Sequence, residues 1–177
     1  MKNLLLATLL FLSFAHAETF QCKVVGVTDG DTIKCLTDQK EQVKVRLYQI
    51  DAPESGQAYG EEAKEILKNI LDSSMLNSIS ITIEDDKTLY PTIIARATIA
   101  VILPCPKLAG HCPPPISSID LGTRMIELGY AWYYPFTKKN PEYQQAEQEA
   151  KAAKRGLWAD KHAMPPWEYR KQKKGKK

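Results

Sequence analysis

Residues 19–50, TFQCKVVGVTDGDTIKCLTDQKEQVKVRLYQI, decide the fold. β-branched residues recur through 19–28 with the alternation of a strand, and Asp29-Gly30 follows, a dipeptide suited to a tight hairpin turn. Thr32–Thr37 gives a second strand. Residues 42–50 give a third, with Val43, Val45 and Leu47 on one face and Lys44 and Arg46 on the other. Beyond it, 51–60 is rich in turn residues, and from Glu61 the period becomes helical. Ala63, Ile66, Leu67, Ile70 and Leu71 make one apolar stripe. Alternation returns in 78–83, and 93–103 reads as a longer strand. Residues 104–115 hold five prolines and exclude regular structure. A short helix is predicted over 119–128, stopping at Gly129. Asn140 is placed to cap a third helix, with Pro141 in its first turn, running to Lys154 and closing at Gly156. Five strands and three helices predict an α+β protein: a five-stranded, partly open Greek-key barrel of the OB type with helices packed at one side.

The ends of the chain carry a different message. Residues 1–17 combine Lys2, an apolar run from Leu4 to Phe14, and Ala15-His16-Ala17, which reads as a secretory signal peptide cut after Ala17. The run is shorter than the ~20 residues of a spanning helix, so no membrane attachment is expected after cleavage. The product is expected to be exported, to the periplasm or the medium. With 177 residues, 24 Lys plus Arg and 21 Asp plus Glu, the net charge is +3. The length suits one domain, here 18–160, and excludes an eight-fold βα barrel of about 250 residues. Six of the last eight residues are basic, so the body has a net charge of −4 and the positive balance belongs to a tail, 161–177. That tail reads as flexible solvated chain, or as an electrostatic tether for an anionic partner.

Four cysteines remain after cleavage. In an exported protein they point to disulfides, with three pairings open. Cys22 and Cys35 flank the hairpin turn symmetrically, which suits a cross-strand bridge. Cys105 and Cys112 bracket the proline-rich loop, which suits a local one. A zinc site using these cysteines and His111 is an alternative, although the spacing matches no finger.

The densest polar chemistry lies between Asp29 and Glu54. Asp29, Asp31, Asp51 and Glu54 fall at strand ends, where a barrel brings them together. Converging carboxylates repel and call for a cation, and oxygen donors alone suit a hard ion such as Ca²⁺. Taken singly, Asp29-Gly30-Asp31-Thr32 is only a hairpin turn, and Arg46 only a strand residue with a packed stem. Glu84-Asp85-Asp86 reads as a solvated strand end.

Taken together, these residues resemble the staphylococcal (micrococcal) nuclease, or thermonuclease, family. Asp29-Gly30-Asp31-Thr32, Arg46-Leu47 and Ile50-Asp51-Ala52-Pro53-Glu54 stand in that family's order and spacing. Tyr59-Gly60-Glu61-Glu62-Ala63, Leu128-Gly129-Tyr130-Ala131, and Glu149-Ala150-Lys151 with Arg155-Gly156-Leu157-Trp158 extend the likeness over 20–158. The resemblance implies an OB barrel with three helices and a Ca²⁺-dependent phosphodiesterase acting on DNA and RNA, leaving 3′-phosphate ends. It implies Asp31 and Asp51 as carboxylate ligands of the metal, with the Ala52 carbonyl beside them and Asp29 behind. Glu54 would be the general base and Arg46 a phosphate-binding, charge-stabilising group.

One departure touches the chemistry. The family carries a second catalytic arginine shortly after an Asp-Lys/Arg-Tyr segment. Here, alignment on Tyr90 puts Thr92 in that position, and a short insertion puts Arg96 there. Loss of the group implies weakened activity. Only His111 and His162 outlast the leader, so a histidine base or histidine-ligated metal is not expected. Tyr130, Trp132, Tyr133, Tyr134 and Phe136 either pack the core or stack on bases, with Tyr133 and Tyr134 the candidates for substrate contact. The alternative function is an impaired OB module that holds single-stranded nucleic acid or nucleotides without cutting. A monomer is expected.

Overall fold

The computed structural model describes residues 18–74, 78–84, 92–102 and 116–175. The leader, His111, and the Cys105 and Cys112 bridge fall outside them.

Strand β1 (Thr19–Asp29) turns at Gly30 into β2 (Thr32–Thr37), and β2 pairs antiparallel with β3 (Gln42–Leu47). The first half of β1 instead pairs with β5 (Ile79–Ile83), from Thr19 opposite Thr82 to Cys22 opposite Ile79. Register shifts at Val24/Gly26 and Val27/Asp29 let β1 bend from one neighbour to the other. β6 (Thr92–Ile102) pairs antiparallel with β5 and parallel with β3, Lys44 facing Thr92 and Leu47 facing Ala95. That parallel contact closes a five-stranded mixed barrel, as the alternation predicts. Its interior is the inward row of each strand: Ile33, Val43, Val45, Leu47, Ile79, Ile81, Ala95, Ala97 and Ile99 are all buried. Arg46 is on the outward row of β3.

Helix α1 (Gly60–Asp72) buries Ala63 and Leu67, with Ile66, Ile70 and Leu71 packed beside them, the predicted stripe. Helix α3 (Pro141–Ala152) starts at the predicted cap, where Asn140 Oδ1 accepts from the Tyr143 amide at 3.3 Å. Cys22 and Cys35 form a disulfide with their Cα atoms 5.6 Å apart, so neither is available to zinc.

The structure differs from the sequence reading in three places. The third strand stops at Leu47. Gln49 takes a left-handed backbone (φ 59°), and a two-residue strand, β4 (Ile50–Asp51), pairs instead with β8 (Trp132–Tyr133). Residues predicted to begin a helix at 119 belong to β7 (Ile116–Asp120), an added strand on β6. Asp120 ends it by capping α2 (Leu121–Glu127), its Oδ1 accepting from the Thr123 amide at 2.7 Å. Within the expected tail, residues 161–175 carry a fourth helix, α4 (Pro166–Gly175). Pro166 in its first turn needs no N–H partner there, and Trp167 gives it an apolar anchor. Among the described residues no helix is long and apolar enough to cross a membrane.

Candidate active site

The site begins at the β1–β2 turn. Asp29 Oδ1 accepts from the Asp31 amide at 3.1 Å, which shapes the turn, and the Asp31 carbonyl accepts from the Leu47 amide at 2.8 Å, which ties it to the end of β3. Gly30 is required by close approach. A Cβ there would lie 2.7 Å from Ala63 Cβ of α1 and 2.8 Å from Ala52 Cβ. The turn, α1 and the strand end after β4 therefore touch at one point.

That contact gathers the predicted acids. Asp31 (2% exposed) accepts from Thr32 Oγ1 at 2.8 Å and from the Ala52 amide at 3.0 Å. Asp51 is fully buried. Arg46 Nη2 bridges the two, 3.0 Å from Asp31 Oδ2 and 2.7 Å from Asp51 Oδ1. Burial pushes the Asp31 carboxyl up to about 7, the negative charge of Asp29 adding to it and Arg46 opposing it. For Arg46 burial works against the charge, but Asp31 and Asp51 outweigh it and hold the guanidinium above its ordinary value.

Glu54 stands at the rim, its amide donating to Gln57 Oε1 at 3.1 Å. Gly60 is again a close-approach position, since a Cβ there would meet the Glu54 carbonyl at 2.2 Å. The start of α1 thus presses the acid loop into place. A cleft of about 420 Å³ opens over these groups, lined among others by Arg46, Glu54, Ile94, Tyr134 and Arg170.

Arg170 is the residue the sequence reading missed. From α4 its Nη2 reaches Asp51 Oδ2 at 2.6 Å and its Nη1 reaches Asp51 Oδ1 at 3.0 Å, and Nη1 also pairs with Glu54. The only signal for it was its membership of the basic C-terminal run, which marked charge but no position.

Two other expectations resolve differently. Arg96 does not join the cleft. It pairs with Glu84 (2.9 Å) and lies over the Tyr143 ring (5.7 Å to the centroid). Thr92 is not among the cleft's lining residues either; opposite Arg46 across the parallel pairing sits Ile94. Of the tyrosines, Tyr133 is buried, with its hydroxyl donating to the Lys138 carbonyl at 3.3 Å, whereas Tyr134 lines the cleft in edge contact with Phe136 and Trp167.

The donor set is suited to a hard cation. Among the described residues no group of three or more His, Cys, Asp or Glu side chains stands ready to hold a metal ion. Yet Asp29, Asp31, Asp51 and Glu54 set four carboxylates against the guanidiniums of Arg46 and Arg170, a formal −2 in a largely buried place. Burial is what chiefly raises the Asp31 carboxyl, and a divalent, oxygen-preferring ion would offset both that cost and the excess of carboxylates.

Comparison with known proteins shows the family. The family model described as staphylococcal nuclease homologue matches residues 44–160. The chain is 32% identical over 177 residues to an uncharacterized endonuclease of Haemophilus influenzae, covering 98% of this chain and 88% of that one. It is 36% identical over 169 residues to Protein ParB of Escherichia coli, covering 94% and 88%. It is 31% identical over 170 residues to a micrococcal nuclease of Shigella flexneri, covering 95% and 90%. Likeness of this extent, running through the strand of Arg46 and the loop of Asp51 and Glu54, makes the chain a member of the staphylococcal nuclease family, a thermonuclease-like nuclease.

Proposed function

We propose that the protein is an exported, Ca²⁺-dependent phosphodiesterase that cleaves both DNA and RNA. The observation that carries this reading is the pair of buried carboxylates, Asp31 and Asp51, bridged by Arg46 beneath a cleft whose rim holds Glu54. Asp31, Asp51 and the Ala52 carbonyl would hold the ion, with Asp29 supporting Asp31 through the turn. Bound there, Ca²⁺ supplies Lewis-acid polarisation of a phosphoryl oxygen. Arg46 hydrogen-bonds a phosphate oxygen and stabilises the charge that grows there, which its planar fork does better than a lysine. Glu54 accepts the proton of the attacking water at a carboxylate oxygen. Tyr134 offers a face for a base next to the phosphate.

Arg96, engaged by Glu84, leaves Arg46 as the one strand-borne arginine of the cleft among the described residues, and this supports reduced turnover unless another group takes the second place. The Cys22–Cys35 bridge supports export to an oxidising compartment.

The test is incubation of the mature protein with single-stranded DNA and with RNA, in Ca²⁺ or in chelator, beside Glu54→Gln. Metal-dependent cutting of both that drops at least ~10²-fold in the variant is expected. Undiminished cutting by the variant removes Glu54 as base. Retention of the oligonucleotide without cutting assigns the barrel to binding alone.

A further inference from the structure

We infer that Arg170, delivered by α4, is the second phosphate-binding arginine of this site. The inference rests on the nuclease reading above and concerns a residue outside the 44–160 stretch that the family model matches.

The helix has a defined seat. Tyr169 donates its hydroxyl to the Gly56 carbonyl at 2.9 Å, and Gln57 Nε2 donates to the Met164 carbonyl at 2.6 Å, so the chain into α4 and the helix itself are tied to the loop that carries Glu54. Trp167 packs edge-on against Tyr134 and Phe136, each with centroids 5.9 Å away. Arg170, one turn beyond Trp167, then falls over the cleft. A solvated basic tail would have no such anchors.

The guanidinium's place points to phosphate more than to a structural ion pair. Arg46 Nη2 and Arg170 Nη1 share one oxygen, Asp51 Oδ1, at 2.7 and 3.0 Å, so the two forks flank a common point. Both side chains remain about one third exposed, open to the cleft, while Asp51 beneath them is buried. The oxygens that Arg170 covers are ones assigned to the metal and to the base. A loaded site weakens its claim on them and leaves a cation, held by a seated helix, facing the cleft where an anionic phosphodiester must lie. Two planar guanidiniums that meet at Asp51 can then hydrogen-bond the non-bridging oxygens and share the charge that grows during cleavage. The position left by Thr92 and by the diverted Arg96 is thereby supplied from the other end of the chain.

The experiment compares the full mature protein with Arg170→Ala and Arg170→Lys by three readouts. These are turnover of single-stranded DNA in Ca²⁺, affinity in Ca²⁺ for thymidine 3′-phosphate beside unphosphorylated thymidine, and thermal unfolding. Arg170→Ala is expected to lose ~10²-fold or more in turnover and about tenfold in affinity for the phosphate but not for the nucleoside. Added methylguanidinium should restore part of the turnover, which a merely structural role would not allow. Arg170→Lys, which keeps the charge without the fork, should fall between and serves as the deciding variant if the alanine form unfolds. Arg170→Ala turnover at or above the parent level, with phosphate affinity unchanged, overturns the inference; a gain would make Arg170 a plug. Should the parent itself not cut, the nuclease reading fails separately and the affinity arm decides: phosphate-selective loss upholds Arg170 as a phosphate ligand, and equal affinity overturns it.

Discussion

Gln49 fixes the direction in which the chain enters the acid loop. Its left-handed backbone (φ 59°) turns the chain between Arg46 and Asp51, and it is nearly fully buried. Its amide nitrogen donates to the Lys138 carbonyl at 2.5 Å, and its amide oxygen accepts from Asn140 Nδ2 at 2.9 Å. Gln49→Ala removes both bonds, leaving the Lys138 carbonyl only the longer one from the Tyr133 hydroxyl, and is expected to cost about 1–3 kcal/mol, measured as a lower urea midpoint; an unchanged midpoint would mean that water replaces the amide. Asp31, Arg46, Asp51 and Glu54 were legible in the sequence because each sits in a short motif whose spacing is local. Gln49 and Arg170 were not. Their roles depend on partners at Lys138 and Asn140 for one, and at Asp51 and Glu54 for the other, and nothing short-range marks such pairings. Arg96 shows the converse: the residue type suits a phosphate, but strand register carries it to Glu84.

At the scale of elements, the contact at Gly30 joins the hairpin, α1 and the acid loop at one point of the site. Gly30→Ala must push the hairpin away from α1 or from Ala52, at a cost of about 1–3 kcal/mol, and it shifts Asp31 relative to Asp51. The expected result is a lower melting temperature and a smaller rise in that temperature on adding Ca²⁺ than in the parent, since binding to the native state alone is what stabilises it. An equal rise would show that the two acids move together. The long elements were readable because periodicity runs through them: α1 from its stripe, α3 from the Asn140-Pro141 start, and the hairpin from its alternation. The two-residue strands β4 and β8 carry too few residues to show a period. The helix expected from 119 begins two residues later because Ile119 and Asp120 close β7, where Asp120 caps α2. Helix α4 has a polar, lysine-rich sequence whose helicity rests on its docking, not on propensity.

Over the whole molecule the charge is unevenly spread. Lys171 and Lys174 are exposed on α4, next to Arg170, while Lys173 lies over the Tyr169 ring at 4.8 Å. Replacing Lys171 and Lys174 by Gln is expected to weaken DNA binding at low salt and to reduce the slope of log affinity against log salt by about 0.7 per lost contact with single strands. An unchanged slope would place both lysines off the substrate path. The Cys22–Cys35 bridge spans 13 residues. Replacing both cysteines by serine is expected to cost about 3 kcal/mol, read from chemical denaturation. The barrel's closing contact has a kinetic side. The β1–β2–β3 meander is local in sequence and, once oxidised, is cross-linked within itself. Its outer edges are satisfied only when Thr92 reaches Lys44 and Thr82 reaches Thr19. Closure of such distant pairs carries a high contact order and sets a slow folding step. A chain that forms its disulfide before its barrel closes would hold a three-stranded sheet with both edges open to pairing with another chain, so aggregation during refolding is expected to be greatest in that interval.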